Sequence, residues 1–75
     1  MDKKIFLFDK DFYTSDSVKT LTEKDCEELV AKDAYNDDIS ILKIDANGYD
    51  TIDIALEAEV GYLDLNDFYI RSFGF

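Results

Sequence analysis

Cys26 could act as a nucleophile in this sequence of 75 residues, which has one cysteine and no histidine. A helix N-terminus can lower the pKa of a thiol, but the flanking carboxylates of Asp25 and Glu27 would raise the pKa of Cys26. Cys26 also falls on the apolar stripe of a predicted helix, so we interpret it as a core residue. A single cysteine excludes an intrachain disulfide and a cysteine-rich zinc site. Without histidine, a nucleophilic triad would need a lysine as its base.

Carboxylates are the other groups that could do chemistry, as metal ligands or as acid–base pairs. Asp45 and Asn47 stand at positions one and three of a loop that begins like a calcium-binding EF-hand. Position six should be glycine and is Asp50, and position twelve should be glutamate and is Leu56, so the match fails. The three separated glycines form no phosphate-binding loop. The sequence therefore predicts no metal site, no cofactor and no catalytic residue.

The acidic residues are concentrated in the second half of the chain. Residues 1–32 contain six lysines and eight acids, whereas residues 33–75 contain only Lys43 and Arg71 against ten acids, out of a net charge of −10. This excess argues against direct binding to nucleic acid or to anionic membranes. A solvated surface would explain it, and so would a surface that meets a basic protein. The candidate residues for such an acidic surface are Asp50, Asp53, Glu57, Asp64 and Asp67.

Short apolar runs predict three strands. They cover residues Lys4–Asp9, Ile39–Asp45 and Asp67–Phe73, and the first of them is apolar on both faces. The polar segment Asp11–Ser17 is interpreted as a loop because it is rich in turn-forming residues.

Two helices are predicted between these strands. The first has Thr22 as its N-cap, acids in its first turn and an end near Tyr35. The second is shorter, with Asp50 as its expected N-cap and an apolar stripe that ends at Val60. The order β-α-β-α-β predicts one α/β domain over residues 1–75, with α+β as an alternative. We expect a two-layer sandwich in which two helices lie on one face of a three-stranded sheet.

This arrangement has a consequence for the opposite face of the sheet. Two helices can cover one face only, although the strands are apolar on both, so the other face would expose an aromatic patch. The candidate interaction residues on it are Phe6, Phe8, Tyr69 and Phe73. Alternatively, the Phe12–Tyr13 loop and the tail at Phe75 fold back over that face.

Three segments resemble small acidic proteins encoded on gut-bacterial mobile elements. They are the segments at 8–13 (FDKDFY), at 21–29 (LTEKDCEEL) and at 68–73 (FYIRSF), in the same order along the chain. The resemblance implies the same order of elements and transfers neither an activity nor a functional residue.

The sequence favours a non-catalytic protein-interaction module that is cytoplasmic, because no apolar run is long enough for a signal peptide or a membrane span. The first hypothesis is self-association, or binding of a protein partner, through the apolar sheet face. The alternative is an acidic inhibitor or nucleic-acid mimic that binds a basic protein through the acidic residues of the second half.

Overall fold

The computed structural model describes residues 2–36 and 40–75, with three strands and three α-helices in those ranges. In chain order they are β1 (Lys4–Asp9), α1 (Ser15–Lys19), α2 (Glu23–Asn36), β2 (Ile41–Asp45), α3 (Ile52–Val60) and β3 (Phe68–Phe73). A 3₁₀ turn at Leu65–Asp67 leads directly into β3. The predicted start of the second strand, Ile39, lies outside the described residues. No helix in the described ranges has the length and apolar character to cross a bilayer.

The strands form one antiparallel sheet in the order β2-β1-β3. The first strand is therefore central, with Ile5 opposite Ile44 on one side and opposite Ser72 on the other. The prediction of an α/β sandwich around a three-stranded sheet is confirmed.

Both faces of β1 are buried, and each face has its own helical layer. Ile5 and Leu7 point to one face and pack in a cluster with Ala55, Leu56 and Val60 of α3. The alternating residues of the strand point to the opposite face, where they pack in a second cluster with residues of α1 and α2. The helices thus divide between the two faces, in place of the expected arrangement with both on one face.

The predicted apolar interaction face is consequently absent. Phe6 and Phe8 are 0% exposed, while Tyr69 and Phe73 are half-buried against the same cluster. The Phe6 and Phe73 rings meet edge to face with centroids 5.9 Å apart, and Tyr13 packs on Phe8 at 5.1 Å. The physical reason is that α2 covers this face while α3 covers the other. Of the residues expected to fold back, only Tyr13 packs here, since Phe12 and Phe75 are exposed.

The short helix α1 contributes to this cover, and the sequence did not predict it. It forms within the segment that was interpreted as a loop, where Thr14 and Ser17 make a capping box. Each hydroxyl satisfies a backbone N–H of the other residue. Val18 then packs into the cluster with Phe6 and Phe8.

The longer helices are also capped by side chains. Thr22 caps α2 as predicted: its hydroxyl accepts from the Asp25 N–H, and the Asp25 carboxylate accepts from the Thr22 N–H. The predicted cap of α3 was wrong by one residue. Thr51 accepts from the Ile54 N–H in the place expected for Asp50.

Asp33 joins the end of α2 to the start of β2. One carboxylate oxygen accepts hydrogen bonds from the backbone N–H groups of Ser40 and Ile41, each at 2.9 Å. The Ser40 hydroxyl donates to the same carboxylate at 2.8 Å. Ser40 and Ile41 are both buried, so removal of the carboxylate would leave their N–H groups without this acceptor.

Replacing Asp33 is therefore expected to weaken the fold. Asp33→Ala should lower the free energy of unfolding in urea by about 3 kcal/mol, because it leaves buried donors without an acceptor. Asp33→Asn should cost less, since the amide oxygen still accepts. Glu28→Ala, an exposed change on the same helix, should stay within about 0.5 kcal/mol of the native protein. Equal losses for Asp33→Ala and Glu28→Ala would contradict the role of Asp33.

Candidate interaction surfaces

Cys26 is a core residue, as predicted. Its side chain is 0% exposed and lies in the cluster with Phe6 and Phe8. Burial raises the pKa of its thiol, and the carboxylates of Asp25 and Glu27 raise it further. A buried, protonated thiol is a poor nucleophile. In residues 2–36 and 40–75, no cluster of three or more cysteine, aspartate or glutamate side chains is arranged to hold a metal ion.

Lysines of the sheet are paired with acids of α2. Glu27 lies between Lys4 of β1 and Lys43 of β2, with ammonium nitrogens 3.2 and 2.9 Å from the same carboxylate oxygen. Lys4 also pairs with Glu23 at 3.1 Å. Hydrogen bonds from Lys43 and then Lys4 lower the pKa of Glu27. This network neutralises the sheet locally and ties α2 to two strands.

The other basic residues on or next to the strands also have partners. Lys3 donates to the backbone oxygen of Tyr49 at 2.8 Å, and the guanidinium of Arg71 donates to the backbone oxygen of Leu21. The Lys10 ammonium lies over the Tyr69 ring, 5.2 Å from its centroid. The three remaining lysines belong to α1 and α2, so neither α3 nor the 3₁₀ turn carries a basic residue.

The five candidate acids of the second half are all exposed. Asp53 and Glu57 lie one turn apart on the same flank of α3, as the spacing predicts. Asp64 caps the 3₁₀ turn, where its carboxylate accepts from the Asn66 N–H. Within the described part of the chain, none of the five forms a salt bridge. We call this set the acidic surface; its members are Asp50, Asp53, Glu57, Asp64 and Asp67.

A cleft of about 700 Å³ opens between the outer side of β2 and the C-terminal end of α3. Apolar side chains of both elements line it, together with two tyrosines and two carboxylates: Asp45, Tyr49, Glu59 and Tyr62. The Tyr49 hydroxyl donates to Glu59 at 2.7 Å, which raises the pKa of Tyr49 and orients the carboxylate. Tyr62 is 84% exposed at the rim. We call this site the tyrosine cleft.

These groups suit the binding of a cation. Aromatic faces attract ammonium and guanidinium groups, and carboxylates pair with them. Lys43 also lines the cleft, but its ammonium is bound to Glu27. Glu59 follows Glu57 by two residues, about 200° around the helix, so the tyrosine cleft and the Asp53–Glu57 flank face different directions.

Sequence reasoning did not identify the tyrosine cleft. Tyr49 and Glu59 are ten residues apart, in a turn and near a helix end, and no periodic pattern relates them. Tyr62 follows the helix terminus and has no signal that separates it from a core tyrosine. Only the packing of α3 against the sheet brings these side chains together.

Comparisons with protein-family models, curated proteins and solved structures found no match to this chain. The resemblance to small acidic proteins of gut-bacterial mobile elements therefore stays a prediction. The acidic surface and the tyrosine cleft are the features of the molecule from which a function can be inferred.

The lowered pKa of Glu27 predicts a pH-dependent contribution to stability. Because the pKa is lower in the folded than in the unfolded chain, the ionised glutamate stabilises the fold above the unfolded pKa. That contribution is lost as the pH falls through the folded pKa. Urea unfolding should show Glu27→Gln less stable than the native protein at neutral pH, with the difference shrinking in acid. Glu28→Gln, an exposed change on the same helix, is the control, and the same pH profile for both variants would contradict the network.

The raised pKa of Tyr49 gives a direct test of the cleft geometry. Glu59→Gln removes the carboxylate that accepts the phenol's hydrogen bond, and its charge with it, so the pKa of Tyr49 should fall toward its ordinary value. Carbon NMR of labelled tyrosine ring carbons, followed across alkaline pH, measures it. Glu57→Gln is the matched control because its side chain lies on another flank of α3. An unchanged pKa in Glu59→Gln, or equal shifts in both variants, would show that the hydrogen bond is not formed.

Proposed function

We propose that this protein is a non-catalytic interaction module that binds a basic segment of a protein partner. The tyrosine cleft receives a lysine or arginine side chain, and the acidic surface attracts the positive charges around it. The observation that carries the proposal is the composition of the cleft, where two tyrosines and two carboxylates meet while the lining lysine is bound elsewhere.

The distribution of charge supports a basic partner. The basic residues on and next to the sheet are held by acids of α2, backbone oxygens or aromatic rings. The carboxylates of α3 and the 3₁₀ turn have no such counter-charge in the described ranges. An exposed, single-sign surface accelerates the encounter with an oppositely charged partner and loses that effect as salt rises.

The tyrosine cleft supplies what a diffuse acidic surface lacks, namely a defined place for one side chain. Its volume lies in the range of ligand-binding clefts, and its wall is apolar where β2 and α3 meet. The methylene groups of a lysine or arginine side chain can pack on that wall while the charged end reaches Glu59 or Asp45. The hydrogen bond from Tyr49 holds Glu59 in place before the partner arrives.

The proposed binding site does not include the aromatic residues that the sequence predicts as interaction residues. Phe6 and Phe8 are inaccessible, so binding through an open sheet face has no surface in this fold. Binding of a basic protein was the alternative hypothesis, and the acidic surface retains all five of its candidate residues. The nucleic-acid-mimic form of that hypothesis stays a prediction.

Variants of equal net charge distinguish binding in the tyrosine cleft from attraction by the overall negative charge of the protein. A fluorescent arginine- and lysine-rich peptide serves as the probe, titrated with protein at ~0.01 M and ~0.15 M salt. Asp45→Asn with Glu59→Gln should weaken binding at least about ten-fold, since each lost carboxylate removes a charge-assisted contact. Asp11→Asn with Glu28→Gln is the control: both residues are exposed, and both double variants change the net charge from −10 to −8.

The aromatic part of the cleft is tested separately. Tyr62→Ala should weaken binding of the peptide about three-fold through loss of a cation–π contact, whereas Phe12→Ala, another exposed aromatic change, should not. Equal weakening by the two charge-matched double variants would reject the cleft as the binding site. Binding of the peptide by none of the proteins, even at low salt, would reject the proposal as a whole.

A further inference from the structure

The sheet has two edge strands, β2 and β3. Along each of them, successive residues point their backbone N–H and C=O groups alternately toward β1 and away from the sheet. Lys10 N–H donates to the Asp67 oxygen, so the even-numbered residues of β1 bond to the odd-numbered residues of β3. The N–H and C=O groups of Ile70 and Ser72 therefore point outward. In the described residues, no side chain or loop supplies a hydrogen bond to them.

The β2 edge is protected against pairing. Asp33 occupies the N–H of Ile41 at its start, and the two outward-facing residues that follow, Lys43 and Asp45, carry charged side chains. Charged residues and occupied donors are the usual means by which sheet edges avoid other strands.

The β3 edge has no comparable protection. Residues 68–75 contain no acidic side chain, in a protein whose net charge is −10. The only charged side chain in this stretch, Arg71, points to the α2 side and bonds the Leu21 oxygen. Ile70 is 43% exposed beside its own free backbone groups. The edge thus combines unpaired donors and acceptors, an apolar side chain and the absence of repelling carboxylates.

We propose that β3 pairs antiparallel with β3 of a second copy of this chain, which joins two sheets into one of six strands. A symmetric pair places the same edge on both sides, so each outward donor meets an outward acceptor. With Ile70 opposite Ile70 of the second copy, four backbone hydrogen bonds form: two between the Ile70 residues, and one from each Ser72 N–H to a Phe68 oxygen. The Phe68 N–H takes no part because it bonds the Leu65 oxygen.

The side chains select this register. Centring the pair on Ile70 sets the two isoleucines side by side and places Tyr69 opposite Arg71 of the second copy, both of which are favourable cross-strand pairs. Centring it on Arg71 would instead set two guanidinium groups opposite each other, which is unfavourable. Centring it on Tyr69 would lose two hydrogen bonds, since both Phe68 N–H groups are already occupied.

This interface shares no residue with the acidic surface or the tyrosine cleft. The dependence on salt distinguishes the β3 pairing from the binding of a basic peptide. Two chains of like net charge repel, so salt should strengthen the β3 pairing, whereas salt weakens capture of a basic peptide. Failure of one proposal therefore leaves the other standing.

Sedimentation velocity of the full chain at high micromolar concentration tests the pairing. The native protein should sediment as a dimer whose dissociation constant falls with salt. Ile70→Lys should raise that constant at least about ten-fold, because it sets two ammonium groups opposite each other at the centre of the pair. Ile54→Lys is the matched control: Ile54 is 51% exposed and belongs to α3, outside the paired strand. A native monomer at low and high salt, or equal effects of the two variants, would overturn the proposal.

Amide hydrogen exchange provides a second measurement that needs no variant. In the pair, the N–H groups of Ile70 and Ser72 should exchange slowly at high protein concentration and faster on dilution. The outward N–H groups of Lys43 and Asp45 on the β2 edge should exchange rapidly at every concentration and serve as the internal control. A dimer in which the Ile70 and Ser72 amides stay unprotected uses another surface and would overturn the proposal.

Discussion

The fold depends on one constraint: the central strand must be covered on both faces. Ile5, Phe6, Leu7 and Phe8 are consecutive and all fully buried, so the alternation of a strand places two of them in each layer. Burial of a large apolar side chain contributes about 2 kcal/mol, which makes these four residues a major source of stability in so small a domain. A helical layer on each side follows from them, with α1 and α2 on one face and α3 on the other.

Local signals made much of this fold predictable. The bounds of β1, the Thr22 cap of α2 and the general positions of the other strands follow from side-chain pattern and capping chemistry. The layering was not predictable in this way. The pattern at residues 5–8 predicts a strand that is apolar on both faces, as observed. The segment that forms α1 is typical of a loop, because serine and threonine occur both in helix caps and in turns. No local signal states on which face of the sheet α2 or α3 packs, and placing both on one face leaves the aromatic residues of the other face exposed.

The candidate site was predictable in its charge and not in its shape. Counting acids along the chain locates the acidic surface, since exposure of carboxylates on a small domain is the normal outcome. The tyrosine cleft arises from a turn, a helix end and an edge strand that are brought together only by tertiary packing. The ion pairs likewise depend on tertiary packing. Glu27 binds Lys4 and Lys43 because α2 crosses both strands, and in the described residues no lysine pairs with an acid of α3.

A sheet of three strands has only one interior strand, so two-thirds of its strands are edges. The two edge strands differ because different elements precede them in the chain. β2 is the next described element after α2, and the Asp33 carboxylate in the last turn of α2 accepts from the backbone at its start. β3 follows the 3₁₀ turn, which uses its own backbone and Asp64 for capping and supplies no side chain to the strand beyond it. The acids of α3 and the 3₁₀ turn thus have no lysine or arginine on their own elements, and residues 68–75 contain no acidic side chain. Repulsion between two copies of the chain is therefore weaker at the β3 edge than at the surface formed by α3 and the 3₁₀ turn.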